Sequence, residues 1–448
     1  MQRRDFLRIS AAGVAGTMLS GSLFPAAAAA PANAPSKTTK NDKVTLGFIG
    51  LGQQAMYLLS SFIKMDDVRV VAGCDVYDIK RDRFEKRVKE HYLGKGEKKV
   101  KVDMYEDYQD ILARPDIDAV VIAVPDHQHA VIAIAACKAG KDVYLEKPMT
   151  LTIYEGQQLC KAVRKYNRIL QVGSQQRSSE EFIHAATLAR EGELGKIYKI
   201  KVCAGRNEAN PFSAAPVDNP LPEMPVPAGL NWDKWLGPMT DKVKYHSDLD
   251  PIITPDKDET LWGAWRWYKP TGGGLMTDWG AHMFDVAQWA IGKDGSGPVE
   301  IVPPGYSYYD DLTYIYDNGI IVTEEEFDGE KRGLKIYGEN GWIQVVRGSL
   351  IASDPKFEMK KNKSEDDVPY EARGGHHRNF INSVRSRIDP NVPVEVGHSS
   401  CTVCNLGNIA MELGRPVKWN PIVQKFMNDP EATKLMHYDY RPGYSLDI

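Results

Sequence analysis

The sequence predicts a doubly wound α/β domain with a parallel sheet, followed by an α+β domain built on an open, mainly antiparallel sheet. Three observations carry this. A short apolar strand, Val44 to Ile49, runs straight into the turn Gly50-Leu51-Gly52-Gln53-Gln54-Ala55 and an apolar-striped helix. Apolar strands and helices then alternate to about residue 170, the order that builds parallel sheets. From residue 171 the pattern changes to alternating strands, with Asn318-Gly319 and Asn340-Gly341 as strong hairpin turns.

Length and composition agree with this. The 448 residues suffice for two or three domains. With 42 % apolar and 26 % charged residues, the chain is an ordinary globular one rather than disordered, collagen-like or polytopic in a membrane. A formal net charge of −4 offers no basic field for nucleic acid. Six cysteines are too few for a disulfide-built scaffold.

Residues 1–30 read as a twin-arginine export signal. Arg3-Arg4 is followed by Phe6-Leu7 and a mildly apolar Ala/Gly-rich run ending in Ala26 to Ala30, which offers A-x-A cleavage options. Cleavage removes three arginines and Asp5, so the charge falls by two to −6 and no stable membrane anchor remains. Residues 31–42 read as a Pro/Ser/Thr/Lys linker. The expected destination is the periplasm or another exported compartment. Dinucleotides are not freely supplied there, so an exported enzyme that uses one should hold it tightly and reset it every cycle.

Residues 43–170 are expected to form a Rossmann dinucleotide-binding domain. Gly50 allows the tight turn, Gly52 lets backbone approach a pyrophosphate, and Ala55 is small enough for helix–strand packing. The helix N-terminus, with Gln53 and Gln54, stabilises phosphate charge. The second strand, Val68 to Cys74, ends in Asp75, 23 residues after Gly52. A carboxylate there hydrogen-bonds a ribose 2′-hydroxyl and repels a 2′-phosphate, which favours NAD over NADP. Arg81 and Arg83 lie close enough to keep NADP open. Two further strands, Ala119 to Val124 and Asp142 to Leu145, close on Pro125-Asp126-His127-Gln128-His129 and on Glu146-Lys147-Pro148. Ligands bind at the carboxyl ends of such strands, which nominates Pro125, Asp126, His129, Glu146 and Lys147. Pro148 makes a rigid turn, a candidate for a cis peptide bond, that aims Lys147 into the cleft. On spacing alone, a solvated surface lysine is the alternative.

The glycine turn, Val124-Pro125-Asp126-His127-Gln128-His129 and Glu146-Lys147-Pro148 together resemble the Gfo/Idh/MocA family of NAD(P)-dependent sugar oxidoreductases (glucose–fructose oxidoreductase, inositol dehydrogenase and relatives). The resemblance covers nearly the whole chain after the signal. It implies that Lys147, within the family's most recognisable short signature, sits in the active site. The family usually has Thr-Pro-Asn where this chain has Val-Pro-Asp, which leaves the nicotinamide contacts open, and His129 is kept. The resemblance further implies that Gln175 and Arg177 approach cofactor and substrate. It also implies that Gly272-Gly273-Gly274 followed by Asp278-x-x-x-His282 carries the catalytic acid/base, and that subunits pair into a homo-oligomer through the second sheet.

Within 171–420, the substrate and oligomerisation domain, strands are expected over 196–204, 305–316, 319–327, 333–337 and 341–347. Residues 421–448 are expected to form a C-terminal arm. Glu324-Glu325-Glu326 reads as a solvated strand or turn. The Pro-, Asn- and Asp-rich stretch 206–260 reads as a functional loop or an oligomer arm. It leads into Trp262 to Pro270, where Trp265 and Tyr268 suit stacking on sugar faces or, equally, packing in a core or interface. One helix is expected from Leu275 to Ile291, with Asp278 and His282 on one face. No Cys/His cluster or third ligand accompanies them, so no metal is expected. His376-His377-Arg378 is a weaker candidate for the cleft wall, and Cys401-Thr402-Val403-Cys404 reads as buried packing.

The expected function is hydride transfer from a secondary hydroxyl of a sugar, glycoside or polyol to a tightly held nicotinamide. His282 would be the general base, Asp278 its orienting partner, and Lys147 the hydrogen-bond donor to the reacting oxygen. Arg177, Trp265 and Tyr268 would join Lys147, Asp278 and His282 in holding the substrate. The alternative is a glycoside hydrolase that oxidises transiently, eliminates the aglycone and re-reduces with the same residues. A catalytically silent sugar-binding protein is a third possibility.

Overall fold

The computed structural model describes residues 43–206, 209, 211–240, 242–251, 262–330, 332–359 and 373–448. The expected signal and linker, and part of the 206–260 stretch, lie outside the described residues. The first sheet consists of β1 (Val44–Ile49), β2 (Val68–Cys74), β3 (Asp103–Tyr105), β4 (Ala119–Ile122), β5 (Asp142–Leu145) and β6 (Leu170–Val172). All pairs are parallel, in the order β3-β2-β1-β4-β5-β6. These strands are apolar along most of their length because both faces are covered. Leu46, Phe48 and Tyr144 pack with Phe62 and Phe84 on one side, while Ile49, Val120, Ile122 and Leu145 pack with Ile132 and Leu159 on the other. The crossovers run through α1 (Gln53–Phe62), α2 (Asp78–Gly94), α3 (Tyr108–Leu112), α4 (Asp126–Lys138) and α5 (Ile153–Lys165). The strand order reverses between β1 and β4, and such a reversal opens the crevice in which these sheets bind ligands.

The second sheet comprises β7 (Ile197–Cys203), β8 (Glu300–Val302), β9 (Leu312–Ile315), β10 (Ile321–Glu324), β11 (Gly333–Gly338), β12 (Gly341–Val346), β13 (Ser349–Ala352), β14 (Val417–Asn420) and β15 (Lys425–Phe426). Their order is β13-β12-β11-β7-β10-β9-β8-β14-β15. β7 and β10 run parallel and the other pairs are antiparallel, so the sheet is mainly antiparallel, as the sequence predicts. Seven helices accompany it among the described residues: α6 (Glu180–Arg190), α7 (Trp232–Leu236), α8 (Gly274–Asp278), α9 (Gly280–Ala290), α10 (Gly375–Ser386), α11 (Val394–Leu413) and α12 (Pro430–Lys434). Phe182 of α6, Phe284 of α9 and Leu406 of α11 meet Ile200, Leu334 and Ile343 of the sheet in one core. α10 instead returns to the first domain and buries Phe380 and Ile381 beside Phe62. Among the described residues no helix is long and apolar enough to cross a membrane.

Two local expectations change, and the tail packs on its own subunit. The 305–316 strand begins only at Leu312. The Glu324–Glu326 run is solvated only at Glu326: Glu324 is buried and accepts from Arg206 at 2.9 Å, and Glu325 is bracketed by Lys199 and Lys201 at 3.0 and 2.7 Å. Strands at the centre of a sheet bury charge when a cation on the neighbouring segment lies in register, which a linear reading of one strand does not reveal. The C-terminal arm first completes the sheet edge with β15 and then folds back, Tyr440 donating to Glu155 Oε1 at 2.5 Å.

Candidate active site

The crevice forms a cavity of about 960 Å³, at the upper end of the usual range for ligand sites, about 300–1,000 Å³. Its walls come from both domains. On the first-domain side, Gly50 adopts φ +79°, and a Cβ there would lie 2.5 Å from Ala123 O, so the turn between β1 and α1 accepts only glycine. Gly52 caps α1 without a side-chain bond, and no acidic residue occupies the first turn, so the helix presents a bare N-terminus. Asp75 ends β2 with both oxygens fixed: Oδ2 accepts from Leu51 N at 2.7 Å and Oδ1 from Tyr77 N at 2.9 Å. Arg81 and Arg83 are engaged with the backbone carbonyls of Asp75 and Leu51, at 2.5 Å each. Gln53 Oε1 is buried beside this turn without a hydrogen-bond partner among the described residues.

Farther along, Pro125, Asp126, Glu146, Lys147 and Gln175 line the cavity, as do Gln53 and Gln54. Burial pushes the Asp126 carboxyl up to about 8 against the opposing pull of Arg266 and Lys147. Glu146 is buried under Gly173, where a Cβ would meet its Oε1 at 2.9 Å, and accepts from Gln54 Nε2 at 2.9 Å. Burial also raises its carboxyl above the ordinary range. The Lys147–Pro148 peptide is cis.

The second domain contributes Asp278 and His282, but not from one continuous helix. The main chain changes pattern between α8 and α9: His282 N donates three residues back to Trp279 O at 3.0 Å. The Asp278 carbonyl instead accepts from Lys147 Nζ at 3.2 Å, while its Oδ1 lies 2.5 Å from the same nitrogen. Burial alone would raise the Asp278 carboxyl, yet Lys147 and Arg266 outweigh it and hold the group below its ordinary range. His282 is buried, and its Nε2 is 3.2 Å from Arg347 Nη2. Burial, then Lys147 and Arg347, keep the imidazole well below its usual pKa and hence neutral. Asp278 therefore positions Lys147 rather than orienting His282.

Three expected contacts fall elsewhere. His129 does not line the cavity; it is buried with Nδ1 2.7 Å from Pro148 O and Nε2 2.9 Å from Val124 O, bracing the two loops from behind. Arg177 is 4 % exposed and locked to Asp285 at 2.8 Å and Asp294 at 2.6 Å, with Ser400 completing the network. Tyr268 belongs to the second core. His376 is likewise buried, between Ser178 at 3.0 Å and Val172 O at 2.9 Å. Cys401 and Cys404 are buried, as expected. Trp265 does line the cavity, 4.2 Å from the Arg266 guanidinium.

Sequence reasoning missed Arg266, Arg332, Arg347 and Trp279 on the wall, and Tyr444, Ser445 and Asp447 of the tail. The arginines carry no motif, and the pairing of β11 with β12 is what brings two of them to the cavity.

Residues 44–174 match the NAD-binding Rossmann fold of an oxidoreductase family, and residues 186–446 match that family's C-terminal alpha/beta domain. The chain belongs to the Gfo/Idh/MocA oxidoreductase family. A Gfo/Idh/MocA first domain binds NAD, and the residues here fit that dinucleotide: a glycine turn that excludes any Cβ, a bare helix N-terminus, a fixed carboxylate at the end of β2 and the unpartnered Gln53 oxygen beside them. Among curated relatives, a glycosyl hydrolase family 109 protein of Shewanella baltica is 28 % identical over 207 residues, which is 44 % of this chain and 44 % of that protein. The match thus spans less than half of that relative's length. The uncharacterized oxidoreductase YrbE of Bacillus subtilis is 22 % identical over 385 residues, 83 % of this chain and 92 % of that one. Solved structures share the fold. The WlbA dehydrogenase from Bordetella pertussis, in complex with NADH and UDP-GlcNAcA, has 17 % identity and a TM-score of 0.58, covering 86 % of this chain and 99 % of that one. Scyllo-inositol dehydrogenase from Lactobacillus casei, with bound NAD(H) and scyllo-inositol, has 17 % identity and a TM-score of 0.56, covering 84 % and 99 %.

Proposed function

We propose that this protein is an exported oxidoreductase that removes hydride from a secondary hydroxyl of a sugar, glycoside or polyol and keeps its NAD bound between half-reactions. The observation that carries this reading is the meeting of Lys147, Asp278 and His282 on one wall of the cavity that begins at the glycine turn. NAD supplies the hydride acceptor when bound. Lys147 is held by two oxygens of Asp278, so its remaining N–H is available to the substrate oxygen, where it stabilises developing negative charge. His282 is neutral and accepts the hydroxyl proton. Trp265, on the cavity wall, provides an apolar face for the ring. The sugar class draws further support from the WlbA and inositol dehydrogenases, which were crystallised with UDP-GlcNAcA and scyllo-inositol.

The similarity to glycosyl hydrolase family 109 proteins favours a second reading, redox-neutral glycoside cleavage by transient oxidation and elimination. The discriminating experiment is incubation of the purified protein with aryl glycosides and no added NAD. Released aglycone supports cleavage, and a stable keto-sugar supports net oxidation. Homo-oligomerisation through the open face of the second sheet and export by the first 30 residues belong to the same reading. Light scattering of the mature protein and fractionation of a variant with both Arg3 and Arg4 replaced by lysine test them.

A further inference from the structure

The cavity wall contains a charge arrangement that the reaction itself does not need. β11 and β12 pair antiparallel with Leu334 opposite Val345, and continuing that register by two residues sets Arg332 opposite Arg347 at the end of the hairpin that faces the cavity. The strands approach closely there, because a Cβ on Gly333 would lie 2.6 Å from Val346 Cγ1. Both guanidinia lie over one indole, Arg332 Cζ at 4.5 Å and Arg347 Cζ at 4.4 Å from the Trp279 ring centroid. Like charges opposed across strands destabilise a sheet. Among the described residues no ion pair relieves either arginine, since Asp278 on the same wall is taken by Lys147 at 2.5 Å and approached by Arg266 at 3.8 Å. Two cations set side by side with no carboxylate among the described residues paired to either mark a place that an anionic ligand completes.

We propose that Arg332 and Arg347, both stacked on Trp279, clamp an oxyanion carried by the substrate, so that the preferred substrate is an acidic sugar. This rests on the oxidoreductase reading of the cavity and narrows its substrate class. Two guanidinium forks fit a carboxylate, sulfate or phosphate through paired N–H donors. The clamp adjoins the chemistry, because Arg347 Nη2 is 3.2 Å from His282 Nε2. An anion bound there offsets the cations that, together with burial, depress the imidazole, and so restores some of its basicity on binding.

The test uses the NAD-loaded protein and matched panels of hexoses, their uronates, 6-phosphates and 6-sulfates. It reads binding by tryptophan quenching and turnover by formation of reduced nicotinamide. At least one anionic series should bind about tenfold or more tightly than its neutral partner, the order expected of a charge-assisted fork. The preference should collapse in Arg332→Ala and return in part in Arg332→Lys. The winning series identifies carboxylate, phosphate or sulfate. If every anionic sugar binds no better than its neutral partner, or the preference survives Arg332→Ala, the clamp is overturned. Oxidation of neutral sugars without preference sinks the clamp and leaves the oxidoreductase reading intact. Arg332-dependent binding with no reduction of NAD upholds the clamp and sinks that reading.

Discussion

Lys147 Nζ lies 2.5 Å from Asp278 Oδ1 and 3.2 Å from the carbonyl oxygen of the same residue, although the two residues belong to different domains. The contact depends on the pattern change between α8 and α9, where His282 N bonds to Trp279 O and the Asp278 carbonyl turns to the lysine. The helix break in the second domain thus turns two oxygens of Asp278 onto one ammonium.

Removing the donor should separate binding from chemistry. Lys147→Ala and His282→Ala are expected to retain NAD while losing turnover, the lysine variant by about 10²–10³-fold, the scale for one lost transition-state donor. Mass spectrometry of the native variants together with single-turnover kinetics checks both halves.

Asp278→Asn should lower kcat by about 10- to 100-fold with a smaller change in KM, because it mispositions Lys147 rather than removing it. If Asp278 instead served His282, the substitution would shift the pH profile of the imidazole and spare the lysine contact, which a pH–rate profile of the variant distinguishes.

Arg177→Met should destabilise the fold by about 3–5 kcal/mol, since it leaves Asp285 buried without its cation. KM and kcat at a permissive temperature should stay at wild-type values. A parallel loss of substrate affinity would return Arg177 to the substrate site.

Asp75→Ala should weaken NAD binding about tenfold or more and also lower thermal stability, because Leu51 N and Tyr77 N lose their acceptor. Calorimetric titration and a melting curve read the two effects separately.

Glu155 gives a pH prediction. Burial raises its carboxyl to about 7 from an ordinary 4.5, so the folded state binds a proton that the unfolded state releases between these values. The stabilisation is complete below the lower value and fades as pH rises through the upper one, by about 3 kcal/mol in all. Glu155→Gln should remove this slope, and urea melts of both proteins between pH 4 and 8 show whether it does.

The glycine turn, Asp75 and the Lys147 loop were legible in the sequence because each is a local pattern whose physics is local: a positive φ, a strand end, a proline after a lysine. Arg177 and Tyr268 were misplaced for the opposite reason. Arg177 sits in the right segment, but its fate is decided by Asp285, 108 residues along the chain, and by Ser400, 115 residues beyond that. His129 occupies the expected loop, yet its ring turns back to two carbonyls instead of into the cavity. The arginines of the wall were invisible because only the β11–β12 register sets Arg332 against Arg347.

The central claim, that this cavity holds NAD within reach of Lys147 and His282, is tested most directly by mixing the NAD-loaded protein with sugar, glycoside and polyol panels and following reduced nicotinamide in a single turnover. The account predicts reduction by at least one compound in the wild type and none in Lys147→Ala or His282→Ala. Reduction at the wild-type rate in both variants would contradict it.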